Sequence, residues 1–158
     1  MSSLDEQVRR ISTLIPQMAK NLRIPALIDG VYQGLTTSQL LILLLLNESD
    51  KPAVSMSEIA AELAVSLPTV TGLVDRLVRE GLVVRYPSDE DRRMVLVRLD
   101  RSGRRVIRRV LRALDDLVRQ VLATTSEAER ESLVLAAERV FELARQIRQQ
   151  ERIALARA

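Results

Sequence analysis

Between Ser55 and Gly103 the chain carries two closely spaced helix-start signals followed by two β-prone runs around a charged loop, and this stretch constrains the fold most. Ser55 with Glu58 three residues later is a capping-box pattern, and it predicts a short helix from Met56 to Leu63 with Ile59, Ala60 and Leu63 facing inward. Ser66 is placed to cap a second helix, Pro68 is tolerated in its first turn, and Gly81 stops it. Val70, Leu73, Val74, Leu77 and Val78 form the apolar stripe of that helix, which leaves small polar residues at its exposed start. Leu82 to Tyr86 and Met94 to Leu99 then read as a hairpin whose loop holds Asp89, Glu90, Asp91, Arg92 and Arg93.

The flanks are helical by the same reasoning. Nearly half of the 158 residues are apolar, yet only Tyr32, Tyr86 and Phe141 are aromatic, so the core is built from Leu, Val, Ile and Ala. That length suits a single domain spanning residues 1–158. Leu4, Val8, Ile11, Ile15, Met18 and Leu22 line one side of an N-terminal helix, as a core stripe within one subunit or as a seam shared with a second chain. Pro16 is expected to kink or interrupt this helix, and Pro25 and Gly30 to mark its end. Thr36 or Thr37 caps a helix to about Asn47 that is buried on most sides and forms the central spine. Asp100 is placed to cap a helix to about Thr124, and Ser126 with Glu129 opens a last one. The expected order is four helices, a hairpin and two helices.

Charge distribution and missing residue types bound the chemistry. Residues 66–109 hold eleven Arg against six acids, whereas residues 1–65 hold five bases against seven acids and residues 110–158 hold eight of each. The basic surplus lies around the hairpin and suits phosphate contact, although a solvated surface accounts for many such stretches. Cys and His are absent, which excludes disulfides, thiolate metal sites and the commonest proton-transfer groups, so an enzyme is not expected. No metal or cofactor is expected, since the one acid cluster, Asp89 to Asp91, adjoins two neutralising Arg. The Leu40 to Leu46 run is too short to span a bilayer and the N-terminus lacks a secretory pattern; a cytoplasmic protein without a membrane partner is expected.

A helix-turn-helix braces one helix on a nucleic-acid backbone and sends the start of the second into the major groove. Ser66, Pro68, Thr69 and Thr71 lie at that start and Arg76 farther along the same exposed side. A Thr hydroxyl can donate to or accept from a base edge, and an Arg fork suits phosphate or guanine. Simple helix-start punctuation would place the same residues there, and Arg76 would then pair with Asp75 or Glu80 on the surface. Arg92 and Arg93 at the hairpin tip suit a narrow groove of enhanced negative potential, with Asp91 holding one guanidinium in place. A winged helix that binds protein partners instead of DNA is the alternative, and it has no need of an Arg pair at the tip.

Thr69 to Leu77, Gly81-Leu82-Val83, Asp91-Arg92-Arg93, Leu99 and Gly103, in this order and spacing, resemble the winged helix-turn-helix of the MarR (multiple antibiotic resistance regulator) family. The likeness extends over almost the whole chain. It implies a mainly α fold with a two- or three-stranded β-wing, a winged core at about 36–103 and dimerisation helices at about 4–28 and 104–155. It further implies a homodimer on a near-palindromic operator of double-stranded DNA, with Arg93 entering the minor groove and Asp91 as its anchor. Family members are often repressors released by a small phenolic or otherwise lipophilic anion. Asp100 stands where the family often has Thr, and the cysteine-based sensing of one branch is impossible in a chain without Cys.

Overall fold

The structure is a computed structural model, and it describes residues 3–22 and 24–157. Two compact units are resolved, Met1–Ala113 and Leu114–Ala158. In chain order the elements are α1 (Leu4–Asn21), α2 (Ile24–Val31), α3 (Thr37–Glu48), β1 (Val54–Ser55), α4 (Met56–Leu63), α5 (Leu67–Arg79), β2 (Val83–Pro87), β3 (Val95–Leu99), α6 (Arg101–Ala123) and α7 (Glu127–Arg157).

Helix starts follow local side-chain chemistry. The Thr36 hydroxyl accepts from the Gln39 N–H at 3.3 Å while the Gln39 side chain accepts from the Thr36 N–H at 2.9 Å. Ser55 with Glu58 and Ser126 with Glu129 make the same reciprocal pair. Each arrangement satisfies donors that a helix start leaves orphaned, worth about 1 kcal/mol. The Glu58 carboxyl, hydrogen-bonded to the Lys51 ammonium and to the Ser55 N–H and hydroxyl, is held down at about 2 from its ordinary 4.5. A depressed carboxylate stabilises the fold above its unfolded value, and that contribution is lost as pH falls from 4.5 through about 2. In Glu58→Gln, which keeps a capping side chain, acid unfolding curves are expected to flatten across this window. An unchanged acid profile would show that the pair with Lys51 contributes nothing.

Two expectations about the N-terminal region are corrected. Pro16 does not interrupt α1, because the helix residues there are exposed and water can serve the Ser12 carbonyl that loses its helical donor. Pro25 and Gly30 do not close α1 but lie within a separate helix, α2, where Pro25 is in the first turn and needs no helical partner for its nitrogen. Among the described residues five helices thus precede the β2–β3 hairpin. The wing itself has three antiparallel strands in the order β1-β3-β2, with Val54 opposite Val97 and Val83 opposite Leu99.

The core of the first unit is aliphatic. Ile42, Leu43, Ile59, Val70, Val74, Leu77, Val97, Ile107 and Val110 are fully enclosed, each worth roughly 1.5–3 kcal/mol of burial. As expected, α3 is its spine, with Leu40, Ile42, Leu43 and Leu46 buried. Of the expected stripe on α5, Val70, Val74 and Leu77 are buried and Leu73 half-buried, but Val78, near the end of the helix, is exposed. Leu63 and Ala60 on α4 are likewise half-buried. With α4 and α5 followed by the β2–β3 hairpin, and β1 completing the sheet from before α4, the first unit has a winged helix-turn-helix at its centre. Among the described residues no single helix is long and apolar enough to cross a membrane.

Candidate nucleic-acid interface

Helices α4 and α5 meet at 111° across a turn in which Ala64 adopts a left-handed conformation (φ 52°). That angle lies within the roughly 90–120° of helix-turn-helix units. The turn is closed by the Val65 N–H, which donates to the Ala60 carbonyl at 3.1 Å. Ser66 then caps α5: its hydroxyl accepts from the Thr69 N–H at 3.4 Å and lies 2.8 Å from the Thr69 hydroxyl. The first turn of α5 is exposed, so Ser66, Pro68 and Thr69 stand open to an incoming partner.

Thr71 is more restricted than its sequence position indicates. It is half-buried, and its hydroxyl donates to the Leu67 carbonyl at 2.9 Å, which leaves the oxygen lone pairs and the methyl group for recognition. A hydroxyl so placed can accept from an adenine or cytosine amino group, and its methyl can touch thymine. Thr71→Ala is therefore expected to shift the consensus selected from a random DNA pool; an identical consensus would remove Thr71 from the base-reading set.

The wing tip is organised by short polar contacts. The Ser88 N–H donates to the Met94 carbonyl at 2.8 Å, and the buried Ser88 hydroxyl accepts from the Glu90 and Asp91 N–H groups. Asp91 accepts from the backbone N–H of Arg93 at 2.9 Å. This corrects the expected pairing of Asp91 with a guanidinium: the carboxylate shapes the turn, and both Arg92 and Arg93 extend from exposed positions.

Asp75 pairs with a residue of the wing and not with Arg76, the partner that the surface alternative for Arg76 would give it. Its carboxylate meets the Arg85 guanidinium at 2.5 Å, bridging α5 to β2, while Arg76 is exposed and takes part in none of the ion pairs among the described residues. Adjacent residues on a helix point apart, so the strand alongside supplies the better partner. The pair is half-exposed and worth ~0–1 kcal/mol, so its role is to register the wing against the helix.

These parts converge. A cleft of about 500 Å3 between α4, α5 and the wing is lined by Leu67, Thr71, Arg85, Asp91, Arg93 and Met94 among others. It brings Thr71, Asp91 and Arg93 to one surface, whereas Ser66, Pro68, Thr69, Arg76 and Arg92 lie outside its lining. Arg85, Ser88, Leu67 and Met94 were not singled out from the sequence. Ser88 had a local signal in the Pro-Ser-Asp turn, and the other three enter through tertiary packing. Among the described residues no group of three or more potential ligating side chains could hold a metal ion.

The comparisons agree with this geometry. The model of the MarR family matches residues 33–94, which include α3 to the wing tip. YfiV, an uncharacterized HTH-type transcriptional regulator of Bacillus subtilis (strain 168), is 30% identical over 105 residues, 66% of this chain and 64% of YfiV. The chain spans less than two-thirds of the length of the curated relatives it matches. The crystal structure of RV1404 from Mycobacterium tuberculosis superposes with a TM-score of 0.78 at 25% identity, covering 90% of this chain and 94% of that one. FabT of Streptococcus pneumoniae, solved in complex with DNA, shares the fold with a TM-score of 0.75 at 22% identity over 89% of this chain and 99% of its own. By its winged helix-turn-helix and these likenesses, the chain belongs to the MarR family.

Proposed function

We propose that the chain is a sequence-specific regulator of transcription that binds double-stranded DNA as a homodimer. The observation that carries this reading is the convergence of Leu67 and Thr71 of α5 with Asp91 and Arg93 of the wing on one cleft, beside the open first turn of α5. In this mechanism the start of α5 enters the major groove, where Ser66, Pro68, Thr69 and Thr71 meet base edges and phosphates, and Arg76 follows farther along the helix. Arg92 and Arg93 reach the adjacent minor groove, and Asp91 sets their direction through the turn. FabT, with the same fold, was solved in complex with DNA.

Dimerisation accounts for apolar surface that one chain leaves open. Leu4, Val8, Ile11, Leu14, Ile15 and Met18 on α1 are each at least half exposed, and so are Leu135, Val140, Phe141 and Leu143 on α7. Surfaces of this kind mark interaction sites. Residues 1–158 then act as one functional unit, a winged core flanked by dimerisation helices, in the cytoplasm. A two-fold dimer places two reading heads on a near-palindromic operator, and bound there the protein acts as a repressor. A small phenolic or otherwise lipophilic anion would release the repressor.

Arg93→Ala tests the assignment. It is expected to weaken operator binding by roughly tenfold to a hundredfold, the loss of one specific contact of ~1–3 kcal/mol, with the melting temperature unchanged because the side chain is exposed. Unchanged affinity on a site selected by the parent protein would remove the wing tip from the interface.

A further inference from the structure

The first half of α6 carries a charge pattern that the reading head does not use. Arg101, Arg104, Arg105, Arg108, Arg109 and Arg112 are all exposed, and no acid lies between Arg101 and Arg112. None of the six takes part in an ion pair among the described residues; Arg105 donates to the Ser102 hydroxyl and Arg112 to the Arg108 carbonyl. At 3.6 residues per turn they fall within an arc of about 140°, opposite the buried Gly103, Val106, Ile107 and Val110. Seven of their pairs stand three or four residues apart, where like charges repel and destabilise a helix. The segment keeps this repulsion with no internal carboxylate to relieve it.

We propose that this arginine face of α6 is a second, sequence-independent contact surface for duplex DNA, engaging phosphates outside the operator. The inference rests on the DNA-binding reading above and extends it. Three features select an extended polyanion. The row is about 16 Å long, more than a small anion can occupy. Arg104, Arg108 and Arg112 rise by about 6 Å per step along one ridge, close to the separation of successive phosphates on a strand. Arginine forks also grip phosphate in a bidentate manner. A membrane surface fits poorly, because the apolar side of this segment is packed into the core and is not available for insertion. The face is tied rigidly to the reading head: the Asp100 N–H donates to the Leu82 carbonyl at 3.0 Å, and Gly103 abuts Leu82 at the base of the wing. It begins at the end of β3, away from the wing tip, and contact with DNA running on past the operator requires that DNA to bend toward the protein.

The test uses the full chain and two duplexes, the selected operator alone and the same operator with one helical turn of unrelated sequence on each side. For the parent protein the flanks are expected to tighten binding about tenfold and to steepen its salt dependence. In the combined variant Arg104→Gln, Arg108→Gln, Arg112→Gln the gain from the flanks should vanish while binding to the bare operator is retained. A parent that binds the bare operator but gains nothing from flanks, or a variant that keeps the gain, overturns this inference and leaves the DNA-binding reading intact. A variant that loses dimer formation assigns the face to a protein contact and also overturns it. A parent that selects no site from a random pool overturns both readings.

Discussion

Gly103→Ala is expected to destabilise the winged core by about 3 kcal/mol or more, lowering its melting temperature on the order of 10 °C. A Cβ at this position would overlap the Leu82 carbonyl oxygen and lie 3.0 Å from its carbon and 3.2 Å from Leu99 Cδ2. Two of these neighbours are backbone atoms that cannot rotate away. The Leu82 carbonyl also accepts from the Asp100 N–H, so moving it breaks the bond that seats α6. Either the first turn of α6 lifts off the base of the wing or β2 shifts, and both disturb enclosed residues such as Ile107 and Val97. Denaturant unfolding of parent and variant measures the effect directly. A difference below ~0.5 kcal/mol, the range of an ordinary surface change, would show that α6 does not approach Leu82 this closely.

Ile15→Asp has the other large expected effect, on assembly. Ile15 is 59% exposed in the single chain, so a carboxylate there costs the isolated protomer little. Buried against a second chain it would be an unpaired charge in an apolar seam, costing several kcal/mol per copy. Sedimentation should therefore find a folded monomer for the variant and, for the parent, the dimer proposed above, with the helical spectrum unchanged between them. Operator affinity should fall by a hundredfold or more, because two reading heads that are no longer linked bind independently. A variant that remained dimeric would place the interface elsewhere, and one that unfolded would assign the α1 stripe to the interior of a single protomer.

Which parts were legible from the sequence follows from the range of the interactions. The caps at Thr36, Ser55, Ser66 and Ser126 are set by contacts over three residues, and all four stand where the residue pattern put them. Helix α2 was not legible, because Pro25 and Gly30 read as stops whereas a proline in a first helical turn is compatible with the helix. Strand β1 is only two residues long and exists through pairing with Val97 and Leu96, some forty residues away. At the interface the same division holds. The open start of α5 follows from its cap, but the partner of Asp75 ten residues on, the turn-shaping bond of Asp91 and the Leu67 bond that restrains Thr71 depend on how the chain comes together.

On the reading proposed above, α5 and the arginine wing form a DNA-reading surface. The most direct measurement is binding of the purified protein to a site it selects from a random duplex pool, over a salt series, with unrelated DNA as competitor. Two protomers per site, affinity at least about a thousandfold tighter than on unrelated DNA, and a steep fall with salt are expected. Weak binding, equal on both DNAs, would contradict that reading.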